Sequence, residues 1–174
     1  MTKELDEILA ANLAAAFLGD VRDDRDQEGD GDFANDPKMW LFVRKDLVIP
    51  LEKLIAQGAH VAVTCALNEF RQGDAALVDN WQSRGQAKIT KRAKNEAELW
   101  KVYRLCREAG LSASIVTDAA RTYFDEKTVT MAAVGPCMRG SLPKAVDGLQ
   151  LLTAKDILAL QPQNQPQESS RGNC

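Results

Sequence analysis

MWLFVRKDLVIPLEKLIAQGAHVAVTCALNEF, residues 39 to 70, changes its hydrophobic period part-way along, and that change decides the fold. Met39 to Val43 is an unbroken apolar run closed by charged residues, the pattern of a strand buried on both faces. From about Leu51 to Phe70 the chain turns rich in Ala and Leu, which predicts a helix. On it Lys53, Gln57, His60 and Thr64 follow spacings of four, three and four. At ~100° per residue they fall into one stripe ~60° wide. Leu51, Ile55, Ala62 and Ala66 take the opposite face, and Leu54, Ala56, Val61 and Val63 border the stripe. The helix therefore reads as mostly buried with one polar seam. Such a seam is ordinary on an amphipathic helix, and a lone histidine beside alanines is more often structural than chemical.

Further helices are expected at Asp74 to Gln82 and Asn95 to Ala109, the latter ended by Gly110 as a glycine just past the last turn. Strands are expected at Lys88 to Arg92, Ser112 to Thr117 and Thr128 to Gly135. The strand-helix-strand-helix-strand order predicts right-handed crossovers and parallel pairing of the first three strands. Only the ten residues DAARTYFDEK separate the third strand from the fourth, too few for a helical crossover, so the last strand should run antiparallel. The expected fold class is α/β: a three-layer α/β/α sandwich on a four-stranded mixed sheet, spanning residues 37–152.

Residues 1–36 hold an amphipathic helical stretch, with Leu5, Leu9, Leu13 and Phe17 on one face, and then an acidic, Gly-bearing linker. Residues 153–174 read as a short helix and a polar, Pro-broken tail. Glu4, Asp6 and Glu7 precede the apolar run Ile8 to Leu18, where a secretion or transit signal needs positive charge, and no stretch reaches the ~20 apolar residues of a membrane helix. Four cysteines without a C-x-x-C pair, and one histidine, suggest neither a zinc site nor a disulfide framework; the thiols read as reduced, which favours the cytoplasm. Residues 1–36 carry 3 basic and 11 acidic side chains, while residues 37–152 carry 17 and 12. A modestly basic core with an acidic leader fits a polyanion-binding domain, though many ordinary enzymes reach this balance. Gly-rich nucleotide loops, G-x-S-x-G and H-E-x-x-H are absent.

A second candidate is Thr117 to Thr122, which leaves a predicted strand at its C-terminal end, a favoured ligand edge in open α/β sheets. There Asp118 accepts hydrogen bonds, Thr122 offers a hydroxyl and Arg121 a phosphate fork; a plain polar turn capped by Asp118 accounts for the same residues.

Taken in order, V-R-K-D-L (Val43 to Leu47), K-x-x-A-Q-x-x-H-x-A-V (Lys53 to Val63), G-Q-x-K (Gly85 to Lys88), D-A-x-R-T (Asp118 to Thr122), T-V-T (Thr128 to Thr130) and V-G-P (Val134 to Pro136) resemble the archaeal and eukaryotic-type (type II) peptidyl-tRNA hydrolases. Each motif is weak alone; the ordered set spans roughly Lys38 to Leu152. The resemblance implies a cytoplasmic homodimer acting on tRNA, cleaving the ester between a peptide and the 3′ ribose with neither metal nor cofactor. It carries Lys53, Gln57, Asp118 and Thr122 onto positions proposed to act in catalysis. His60, Lys88, Arg92, Arg121 and Arg44 form the expected substrate-binding set. Two departures stand out: Ile49-Pro50-Leu51-Glu52-Lys53 replaces a Gly- and Lys-rich loop, and Ala120 stands where the family usually has glycine. They keep open a second expectation, a catalytically weakened relative serving as an RNA-binding or protein-interaction module. The N-terminal helix is a further expected site for a protein partner.

Overall fold

The computed structural model describes residues 35–162, so the N-terminal helix, the acidic linker and the polar tail expected from the sequence lie outside the described residues. Its strands are β1 (Lys38–Arg44), β2 (Lys88–Ala93), β3 (Ala113–Asp118) and β4 (Thr128–Cys137). The helices are α1 (Leu51–Gln72), α2 (Ala75–Ser83), α3 (Glu96–Glu108), the single turn α4 (Lys144–Asp147) and α5 (Ala154–Leu160). Local signals explain the limits. Asp74 and Asn95 cap α2 and α3 by accepting from Leu77 N–H and Glu98 N–H. Glu96 and Glu98 occupy the first turn of α3 and Arg107 its last, each suited to the helix dipole. Gly110, at φ +77°, turns the chain out of α3.

β1 is apolar on both faces because both faces are covered. Trp40 and Phe42 enter one core with Leu99, Val102 and Cys106 of α3; Met39 and Val43 enter another with Leu54, Val61 and Cys65 of α1 and Val78 and Trp81 of α2. The result is the expected three-layer sandwich. Strand order is β2-β1-β4-β3, with β1 parallel to β2 and β4 antiparallel to both of its neighbours. The antiparallel last strand agrees with the expectation. Parallel pairing of the first three strands does not hold: only β1 and β2 pair that way, and β4 lies between β1 and β3. Burial gives the reason. From Val129 to Cys137 every residue of β4 is buried, which a strand achieves only with neighbours on both edges. β2 and β3 mix polar and half-buried residues suited to sheet edges. Residues 150–152 then cover the free edge of β2, where Arg92 N–H donates to Gln150 O and Leu152 N–H to Thr90 O.

The expectation that the long helix is mostly buried is also corrected. Leu54, Gln57, Val61, Ala62, Cys65 and Glu69 of α1 are buried, but Ile55 is 64% and Val63 58% exposed, and Leu51, Leu67 and Phe70 are exposed with them. The helix carries two apolar stripes, and only one meets the sheet. No helix of the described residues is long and apolar enough to cross a membrane.

Candidate active site

β1 and β3 run in the same direction, so their C-terminal ends share one edge of the sheet. α1 begins soon after β1 ends, which brings its first turn over the last residue of β3. Lys53 Nζ therefore lies 2.5 Å from Asp118 Oδ2 and donates to Thr122 Oγ1 at 2.9 Å. One turn later Gln57 Nε2 donates to the same Asp118 Oδ2 at 2.8 Å. The other carboxylate oxygen, Oδ1, accepts from Ala120 N–H at 2.9 Å. The four residues singled out for chemistry thus form one hydrogen-bonded group.

The group is graded in depth. Asp118 is 3% exposed and Gln57 is buried beside it, Lys53 is half-buried above, and Thr122 is exposed at the mouth. Burial pushes the Asp118 carboxyl up; the hydrogen bonds from Lys53 and Ala120 N–H, with the charge of Lys53, outweigh it and hold the group below its ordinary value. Asp118 is accordingly a fixed carboxylate. Lys53 spends two of its three N–H donors on Asp118 and Thr122, which leaves one to point elsewhere.

The family model described as Peptidyl-tRNA hydrolase PTH2 matches residues 37–152. The chain belongs to this family. A peptidyl-tRNA hydrolase of Methanocaldococcus jannaschii is 35% identical over 115 residues, covering 66% of this chain and 99% of that protein. One from Aeropyrum pernix is 38% identical over 117 residues, 66% of this chain and 94% of the relative, and one from Sulfolobus acidocaldarius 34% over 119 residues, 66% and 99%.

The remaining expected residues of this PTH2-family domain are not all gathered at the site. His60 is exposed on α1, three residues beyond Gln57, and Arg121 is exposed between Ala120 and Thr122. Arg92 lies near the C-terminal end of β2, paired with Asp156 at 2.7 Å. Lys88 starts β2 opposite Met39, at the other end of the sheet, where its Nζ donates to Gln86 O and sits 4.8 Å from the centre of the Trp81 ring. Arg44 is buried: it donates to both oxygens of Asp46, to Glu96 and to Val129 O, so four of its five N–H groups are spent tying β1 to α3 and β4.

Sequence reasoning assigned no role to Thr130, although it lies in the T-V-T motif. Its hydroxyl donates to Gln57 Oε1 at 3.3 Å and fixes the amide so that Nε2 faces Asp118. A threonine inside the otherwise apolar run from Val129 to Cys137 was the available signal.

Both departures from the family pattern have structural counterparts. Pro50 is the N-cap of α1, and Leu51, Glu52 and Lys53 form its first turn, so a helix start occupies the place of the glycine-rich loop. Ala120 has φ +57°, the left-handed conformation that glycine adopts freely and that costs other residues ~1–2 kcal/mol. Replacing Ala120 with Gly relieves that strain while adding unfolded-state entropy, for a net gain of about 0.5–1 kcal/mol. Thermal unfolding followed by circular dichroism should show a higher midpoint; a lower one would mean that the alanine is not strained.

Proposed function

We propose that this chain hydrolyses the ester joining a peptide, or an N-blocked aminoacyl group, to the 3′ ribose of tRNA, without a metal, and so returns free tRNA to translation in the cytoplasm. The observation that carries this reading is the contact of Lys53, Gln57 and Thr122 with Asp118 or with one another in a member of the PTH2 family. That intact group disfavours the weakened, non-catalytic alternative.

A water oxygen attacks the ester carbonyl, the carbonyl oxygen becomes an oxyanion, and the bond to the 3′ oxygen then breaks. The products are a peptide carboxylic acid, which ionises, and a free 3′ hydroxyl. Asp118 orients the water, accepts its proton as attack proceeds and returns it to the departing 3′ oxygen, which restores the carboxylate; held low by Lys53, it is a weak base, and positioning is its larger contribution. The third N–H of Lys53 meets the oxyanion, a charge that exists only after attack. Gln57, held by Thr130, keeps the carboxylate aimed, and Thr122 supplies a hydroxyl at the mouth. Arg121, beside Thr122, and His60, three residues beyond Gln57, are exposed groups that would meet the acceptor end. Arg92 and Lys88 would meet RNA further along the sheet, and Arg44 acts by holding β1 in place.

The test is release of a labelled N-acetyl-aminoacyl group from charged tRNA in the presence of a chelator. Turnover that survives chelation is expected; tRNA binding without turnover would sink the enzyme reading.

We also propose a homodimer built on the exposed stripe Leu51, Ile55, Val63, Leu67 and Phe70 of α1, because an apolar strip of this length on a soluble domain marks a contact surface. Ile55→Asp combined with Val63→Asp should halve the mass measured by light scattering. A wild-type monomer, or a variant that stays dimeric, would overturn the assignment. Residues 1–36 remain proposed as an arm for a protein partner.

A further inference from the structure

We infer that the groove along the covered edge of β2 holds a second, unstacked stretch of the RNA substrate, so that tRNA is gripped on the far side of the sheet edge from the ester. The inference rests on the tRNA reading above. The groove encloses about 750 Å³ between β2 and the segment from Arg139 to Thr153, over an apolar floor of Ile89, Leu149 and Leu151. Leu151 is exposed, although its neighbours Gln150 and Leu152 are hydrogen-bonded to β2.

One wall carries a cluster of charged groups around Asp147. Asp147 Oδ1 is buried and accepts no hydrogen bond; Lys91 Nζ at 3.7 Å and Arg139 Nε at 3.6 Å stand beyond bonding reach. Lys91 cannot swing to it freely, because its Nζ donates to Asp147 O and Leu149 O. A nucleobase splayed out of its stack can lay its flat face against the apolar floor beside these charges.

The cations follow a track. Arg92, Leu149 and Gln150 also line a smaller cavity of about 220 Å³, which Lys45 and Lys94 complete. Lys45 directly follows β1, at the sheet end where Asp118 lies. Lys45 and Lys94 are exposed and enter no ion pair among the described residues, and Arg139 is 66% exposed. Glu98, Asp147 and Asp156 interrupt the track, so it is a row of separate positive points rather than a uniform patch. Spaced cations beside an apolar floor match a single-stranded nucleic acid, whose phosphates recur and whose bases splay. A lone small anion would use one cation and not the floor.

The experiment compares two substrates carrying the same ester, N-acetyl-aminoacyl-tRNA and N-acetyl-aminoacyl-adenosine. The triple variant Lys45→Ala, Lys94→Ala, Arg139→Ala should raise KM for the tRNA about tenfold and flatten the dependence of log KM on log salt by about two units, since each lost phosphate contact removes ~0.7–0.9. On the adenosine ester, kcat/KM should stay within about twofold. Leu151→Ser, which takes away floor but no charge, should raise KM for the tRNA about fivefold with the salt slope unchanged. Unchanged KM in both variants overturns the groove, and so does an equal loss on both substrates, which would place the effect at the ester site. If wild type cleaves neither substrate, the enzyme reading fails separately. Fluorescence anisotropy with tRNA then decides the groove: weakened binding in both variants upholds it, and unchanged binding removes it.

Discussion

Lys53→Ala lowers kcat for release of an N-acetyl-aminoacyl group from tRNA by ~10²–10³, the usual loss when one preorganised oxyanion donor is removed. KM moves much less, because the third N–H of Lys53 meets a charge that the ground-state ester lacks. The effect is not simple loss of an ion pair on the surface. Asp118 is 3% exposed, and without Lys53 its charge keeps only Gln57 and the Ala120 N–H as partners. Lys53→Arg should rescue only a fraction, since a planar guanidinium cannot reproduce a point ammonium held between Asp118 Oδ2 and Thr122 Oγ1. Hydrolysis by the alanine variant within a factor of three of wild type would remove Lys53 from the chemistry.

Asp118→Asn is expected to lower kcat by ~10²–10⁴, the range for loss of a positioned acid–base group. The substitution keeps an oxygen for Gln57 or Ala120 N–H while removing the carboxylate, so the fold is expected to survive, which thermal unfolding would verify. A pH series separates this carboxylate from other contributors. In wild type Asp118 is held below the ordinary carboxylate value of ~3.9. It should therefore stay ionised from about pH 5 to pH 8 and produce no acid limb in kcat/KM across that range. In Lys53→Ala, burial, which raises the value, is no longer outweighed by the lysine, and an acid limb should move upward relative to wild type. Identical acid limbs in the two proteins would show that Lys53 does not control this carboxylate. The sign for stability is the same: a depressed carboxyl stabilises the fold above its unfolded value, and that contribution is lost as pH falls through the folded value.

The group at the sheet edge was legible because its members fall in recognisable motifs, and because one stripe of α1 carried both Lys53 and Gln57. Their partner Asp118 is 61 residues from Gln57 along the chain, and no local pattern joins them; the ordered resemblance did. Arg44 shows the opposite case. It lies in a motif and carries a fork suited to phosphate, yet Asp46, Glu96 and Val129 O take up its donors, and Glu96 is 52 residues away.

Element type and limits were determined by the sequence alone, because hydrophobic period, caps and the positive-φ glycine at Gly110 act within a few residues of one another. Tertiary structure decided the rest: that β4 enters between β1 and β3, that one apolar stripe of α1 packs while Ile55 and Val63 face outward, and that Lys88 and Asp118 lie at opposite ends of the sheet. These choices depend on which buried surfaces are available to cover one another, and that is settled only when segments far apart in the chain compete for the same core.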